Sequence, residues 1–152
     1  MMNLDIRKIL KIITLSLLIS NPAFAQTKEE KRAKYVLLNM QQDYITCYAF
    51  YKIGAEYVRK TKGEPSIIEG IEKSSDTSLK LAHETGEIIG MASDKMSSKV
   101  KNEIQIQLDL IDNDLNNASV LLEKYAQTCK NLIENKKERI SFWENKASNK
   151  FK

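Results

Sequence analysis

Between Leu37 and Val58, Leu37, Met40, Tyr44, Cys47, Tyr51, Gly54 and Val58 recur at alternating spacings of three and four. That period belongs to an α-helix and places these residues on one stripe. Tyr48 and Ala55 lie beside the stripe, and Ile45, Ala49, Phe50, Ile53 and Tyr57 fill a second arc. From residue 44 to 58 the helix is therefore apolar around most of its circumference. A helix docked on a single neighbour has no need of that, so the rest of the chain is expected to pack around this one.

The aromatic residues of this helix admit two readings. As core filler, each Tyr buries its ring and sends its hydroxyl to the rim. Alternatively, Tyr44, Tyr48, Tyr51 and Tyr57 line a binding surface, since Tyr supplies contact area at small entropic cost. In the first reading Tyr44, Tyr48 and Tyr51 face the second and fourth helices, with Ile89, Leu122 and Tyr125 among their neighbours.

Upstream, Arg7, Lys8 and Lys11 precede the apolar run Ile12 to Ile19, and Asn21-Pro22 leads into Ala23-Phe24-Ala25. This is the order of parts in a secretory signal peptide, with cleavage expected after Ala25. The apolar run falls well short of the roughly 20 residues needed to cross a bilayer, so no stable membrane anchor is expected. Removing residues 1–25 leaves residues 26–152 as a single helical domain in the periplasm or outside the cell. The leader takes three basic residues and one acidic one with it, and the formal charge falls from +4 to about +2. A nearly balanced chain with both signs interspersed argues against a nucleic-acid partner. The Lys-rich stretch from Lys146 to Lys152 reads as a frayed, solvated end.

No β-branched alternation bounded by turns occurs, and the spacing predicts an all-α domain. Lys62-Gly63-Glu64-Pro65 offers a Gly C-cap and a Pro to open the next helix. Gly90 fits a left-handed cap, and Ser93 an N-cap with Asp94 in the first turn. A second stripe is Ile68, Ile71, Ser75, Leu79, Ala82, Gly86 and Ile89. A third runs from Ile104 through Leu108, Ile111, Leu115, Ala118, Leu122, Tyr125, Cys129 and Leu132 without a change of phase, as one very long helix would. Asp112-Asn113-Asp114-Leu115-Asn116-Asn117 contradicts this, because Asx side chains compete for backbone hydrogen bonds and favour turns.

The two cysteines discriminate between these readings. In an exported domain they are expected to pair, which requires Cα atoms within about 7 Å. Measured along the helix axes from the turn near residue 64, Cys47 lies about 16 residues down and the turn near residue 91 about 27. An unbroken third helix would carry Cys129 past the top, roughly 40 Å from Cys47. A turn near Asp114 brings it back to within roughly 5 Å of the same level. The expected fold is thus an up-down-up-down four-helix bundle with helices at about 28–61, 66–89, 94–112 and 117–147 and a Cys47–Cys129 disulfide. The alternative is a long three-helix bundle, with reduced cysteines or a bond between subunits.

The sequence carries no recognisable catalytic motif or cofactor fingerprint. One histidine and two cysteines cannot furnish a metal site of ordinary composition, and no C-x-x-C-H haem attachment is present. His83, with Met40 or Met91, is the single pair resembling haem axial ligands. Glu84 and Glu87 beside it read as solvated charges. No catalytic residue, metal or cofactor is assigned. The expected role is a non-catalytic protein-binding or structural module with another exported protein as partner, and an oligomer is compatible with the sequence. The competing role is a small-ligand or haem-type carrier, or an enzyme, built around His83 and the Tyr-rich helix.

Overall fold

Thr27 begins the first helix with a capping box: its hydroxyl accepts from the Glu30 amide at 3.2 Å, and the Glu30 carboxylate accepts from the Thr27 amide at 2.9 Å. Two otherwise orphaned donors are thereby satisfied. This is a computed structural model describing residues 26–152; the expected leader and its cleavage point lie outside the described residues. The chain forms α1 (Lys28–Lys60), α2 (Pro65–Ile88), α3 (Ser93–Leu110), a 3-10 turn at Leu115–Asn117, α4 (Ser119–Glu134) and α5 (Lys136–Lys150). Among the described residues every regular element is helical.

With 33 residues, α1 is about 50 Å long and forms the axis of the molecule. Its buried residues include Met40, Tyr44, Ile45, Cys47, Ala49, Phe50, Ile53 and Ala55, which point in nearly all directions. All four other helices pack against it. The most extensive of these contacts is with α2, which turns Ser75, Ser78, Ala82, Thr85 and Gly86 inward. Small residues allow the two helices close approach, and their hydroxyls return to nearby carbonyls: Ser78 to Ser74 at 2.9 Å and Thr85 to Leu81 at 2.7 Å. The buried face is rotated from the expected stripe, since Leu79 and Ile89 are only half-buried.

The turns follow turn chemistry, with two shifts of position. Lys62, not Gly63, takes the left-handed conformation at φ 57°. Gly63 is needed for a different reason: its amide donates to the Val58 carbonyl at 2.8 Å, and a Cβ there would stand 2.4 Å from Val58 Cγ1. Gly90 is left-handed at φ 68°, and the Met91 amide reaches the Gly86 carbonyl at 2.8 Å. The N-cap of α3 is Ala92, and Ser93 is its first helical residue.

The Asx cluster does end α3. Asp112 and Asn113 are left-handed at φ 55° and 57°, and the Asp114 carboxylate accepts from the Asn116 amide at 2.9 Å. Residues 94 to 132 are therefore not one helix. Beyond this turn Ala118, Cys129 and Leu132 of the expected stripe are buried, but Leu121 enters the core in place of Leu122, which was expected beside the tyrosines and is 53% exposed. The expected last helix, 117–147, is two helices separated at Asn135 (φ −135°, ψ 56°). Lys146 to Lys150 is not frayed; α5 runs to Lys150, and the Phe151 carbonyl accepts from Arg32 Nη2 at 3.0 Å.

Candidate functional site

Cys47 and Cys129 are buried in the centre of the core at disulfide distance, with Cα atoms 5.3 Å apart and a sequence separation of 82. Met40, Tyr44, Phe50, Ile53, Ile111, Leu121 and Leu132 belong to the same cluster. Each sulfur projects from a helix surface that faces the other.

Beside this core the tyrosines of α1 separate. Tyr44 is fully buried, while Tyr48, Tyr51 and Tyr57 are half-buried. Tyr48 gives its backbone carbonyl to the Ser75 hydroxyl at 3.5 Å. Tyr51 lies against Phe50, ring centroids 5.2 Å apart, and Phe50 in turn leans on Tyr125. None of the four lines either of two surface concavities: a shallow charged trough along α2 between Glu69 and Lys80, and a smaller one between Lys52, Ala55 and Ser75. Among the described residues the Tyr44 hydroxyl has no hydrogen-bond partner.

Burial, reinforced by the nearby charges of Asp43 and Glu84, pushes the Tyr44 phenol up from 10.0 to about 12. In the unfolded chain it ionises first, so folding stability is intact below pH 10 and is lost as pH rises from 10 towards 12. Tyr44→Phe should remove that part of the alkaline destabilisation. At pH 7 it should leave stability unchanged or raise it by up to about 1 kcal/mol, because a buried unpartnered hydroxyl is a cost. Melting temperatures of both proteins across this range provide the check.

A polar seam joins α1 to α3. Gln41 accepts from Lys99 Nζ at 3.1 Å and directs its amide nitrogen at Met91 Sδ, 3.2 Å away. Gln42 donates to Glu103 at 3.0 Å, and Gln107 donates to Glu103 at 3.1 Å and to the Thr46 carbonyl at 2.9 Å. Gln41 and Gln107 are both fully buried. Burial, and secondarily the charge of Lys95, lowers the Lys99 ammonium from its ordinary value. The sequence reading aimed α3 by its apolar stripe and missed this face, although Met96, Lys99, Glu103 and Gln107 repeat at helical spacing.

The second missed cluster ties α5 to α1. Asp43 receives Arg139 Nε at 2.7 Å, Arg139 Nη2 at 2.8 Å and the Trp143 indole N–H at 2.6 Å. The hydrogen bond to Asp43 raises Arg139 above its usual value against the opposing effect of burial. Its guanidinium also lies over Phe142 and Trp143, 4.6 and 5.0 Å from the ring centroids. Tyr35 meets Trp143 and Phe151 edge-on, with centroids 6.2 and 5.8 Å apart. A carboxylate accepting a bidentate Arg and an indole is an orienting contact that fixes α5 in register.

His83 is exposed on α2, whereas Met40 is in the core and the Met91 sulfur is engaged by Gln41. Among the described residues no three His, Cys, Asp or Glu side chains converge as metal ligands. None of the described helices is long and apolar enough to cross a membrane. Compared with protein-family models, curated proteins and solved structures, the chain matches none of them.

Proposed function

We propose that this chain is an exported, non-catalytic helical module, periplasmic or secreted, that acts through contact with another protein. Its helices are read as an up-down-up-down bundle in which α4 and α5 are the two halves of the last rod and a Cys47–Cys129 disulfide links the first rod to it. The observation that carries the binding role is a set of large apolar side chains left exposed on both sides of the α3–α4 turn: Ile106, Leu110, Val120 and Leu122. Exposed apolar side chains gathered in one region mark protein-interaction surfaces, and these four flank a single turn. The buried cysteine pair supports export, because such pairs persist as disulfides in oxidising compartments.

Leu122→Asp should leave the melting temperature within about 2 °C of the parent, since the side chain is outside the core. It should abolish recovery of a partner by cross-linking in extract of the source compartment. A protein purified with colour, or one whose measurable activity disappears on His83→Ala, would overturn this reading. So would partner recovery undiminished by Leu122→Asp and Ile106→Asp together.

A further inference from the structure

The two ends of α1 differ in character. Lys60, at one end, sits 3.5 Å from Asn116 in the turn flanked by the exposed apolar residues. At the other end the antiparallel α5 places residues 144–152 beside residues 28–34, joined by Arg32 to the Phe151 carbonyl and by Lys150 over the Tyr35 ring at 4.9 Å. These two segments together hold seven Lys and Arg against three acids, Glu29, Glu30 and Glu144. Residues 26–152 as a whole hold twenty-one against nineteen, so the rest of the domain is net acidic. Lys28, Lys31, Lys34, Lys146, Lys150 and Lys152 are all exposed.

We propose that this cationic end is a docking surface for an anionic phospholipid bilayer, held reversibly and without a spanning segment. The charges stand on two helices fixed to each other rather than on a loose tail, so little order has to be imposed on binding. Aromatic rings are interleaved with them: Phe142 is 42% exposed with Lys146 Nζ 5.6 Å from its centroid, and Tyr35, Trp143 and Phe151 are half-buried behind it. Exposed lysines whose ammonium groups stand over aromatic rings, as Lys146 does over Phe142 and Lys150 over Tyr35, set cation and apolar surface side by side, a combination suited to the boundary between headgroups and acyl chains. Electrostatic attraction supplies most of the binding, and one exposed Phe adds shallow insertion. The surface is distinct from the apolar set proposed for the protein partner and lies at the opposite end of a helix about 50 Å long, so both contacts fit on one molecule.

The test is co-sedimentation of residues 26–152, oxidised, with vesicles of phosphatidylglycerol and phosphatidylcholine in roughly equal parts, at ionic strengths for which the Debye length is about 10 Å and about 3 Å. Binding is expected to the mixed vesicles and not to phosphatidylcholine alone, and to vanish at the higher salt. Lys146→Glu/Lys150→Glu should weaken it on the order of a hundred-fold, and so should Lys31→Glu/Lys34→Glu on the other helix. Lys73→Glu/Lys80→Glu, which changes net charge equally but lies on the outer face of α2, should change it by less than about five-fold. Phe142→Ser should weaken it several-fold while thermal melts confirm that every variant is folded. Equal losses for all the charge reversals, no sedimentation with anionic vesicles, or retention by a polyglutamate matrix but not by vesicles would each overturn the proposal. None of these outcomes depends on whether a protein partner is found at the other end.

Discussion

Replacing Cys47 and Cys129 together by Ala should lower the stability of the oxidised domain by about 4.5 kcal/mol, the chain-entropy value for a bond closing a loop across 82 residues. For a domain of this size that corresponds to a fall in melting temperature of roughly 15 °C. Helix content below the transition should be nearly unchanged, because the helices are held by α1 and by packing around it. The single replacements should cost as much as the double, since either one removes the bond. Thermal and urea melts followed by circular dichroism would measure this, with the parent under reducing conditions as a second way of breaking the link. A double variant melting within about 3 °C of the oxidised parent would mean that the bond contributes little.

The next largest effect is expected at Asp43. Asp43→Ala leaves the Arg139 guanidinium and the Trp143 indole N–H without their acceptor while both remain partly buried beneath Phe142 and Tyr35. Charged hydrogen bonds of this kind contribute about 1.5–3 kcal/mol, and the Asp43 and Arg139 side chains are only 13% and 25% exposed, so about 2–3 kcal/mol should be lost. The loss should fall unevenly: α5 should exchange its amide hydrogens faster while α2 keeps its protection. Asp43→Asn/Arg139→Met, which removes the charge from both partners, should be closer to the parent than Asp43→Ala, because it leaves no buried cation unpaired. A uniform loosening of all five helices would instead make Asp43 a general core residue.

This dependence on Asp43 is also where sequence reasoning reached its limit. The contact spans 96 residues to Arg139 and 100 to Trp143, and no local pattern couples such positions. A hint was present in a carboxylate, Asp43, directly beside the apolar girdle of α1 and in the chain's one Trp, but one sequence offers nothing to join them. The depth of the cysteines was legible because it depends only on helical rise, which accumulates predictably between turns marked by Gly, Pro and Asx residues. The facing of individual side chains was less so: past the left-handed Asp112 and Asn113 and the 3-10 turn, Ala118, Cys129 and Leu132 keep the buried places their stripe assigns, but Leu121 rather than Leu122 enters the core. The polar seam of Gln41, Glu103 and Gln107 was missed for a related reason. Apolar periodicity aims each helix by its hydrophobic residues, whereas α3 also buries the Gln107 amide and the Glu103 carboxylate, joined by a hydrogen bond. In the candidate site, the burial of Tyr44 could be read from its stripe, but the exposure of Phe142 and the ordering of the Lys-rich end became visible only once α5 was docked.

Export and a covalent Cys47–Cys129 bond within one chain are the two features on which the proposed function rests most heavily. The most direct test is mass spectrometry of non-reduced peptides from the protein isolated from its own cells with thiols blocked at lysis. The expected result is a peptide pair linking Cys47 to Cys129 within one chain, together with an N-terminal peptide beginning at Gln26. Two blocked thiols on a chain that still carries residues 1–25 would contradict it.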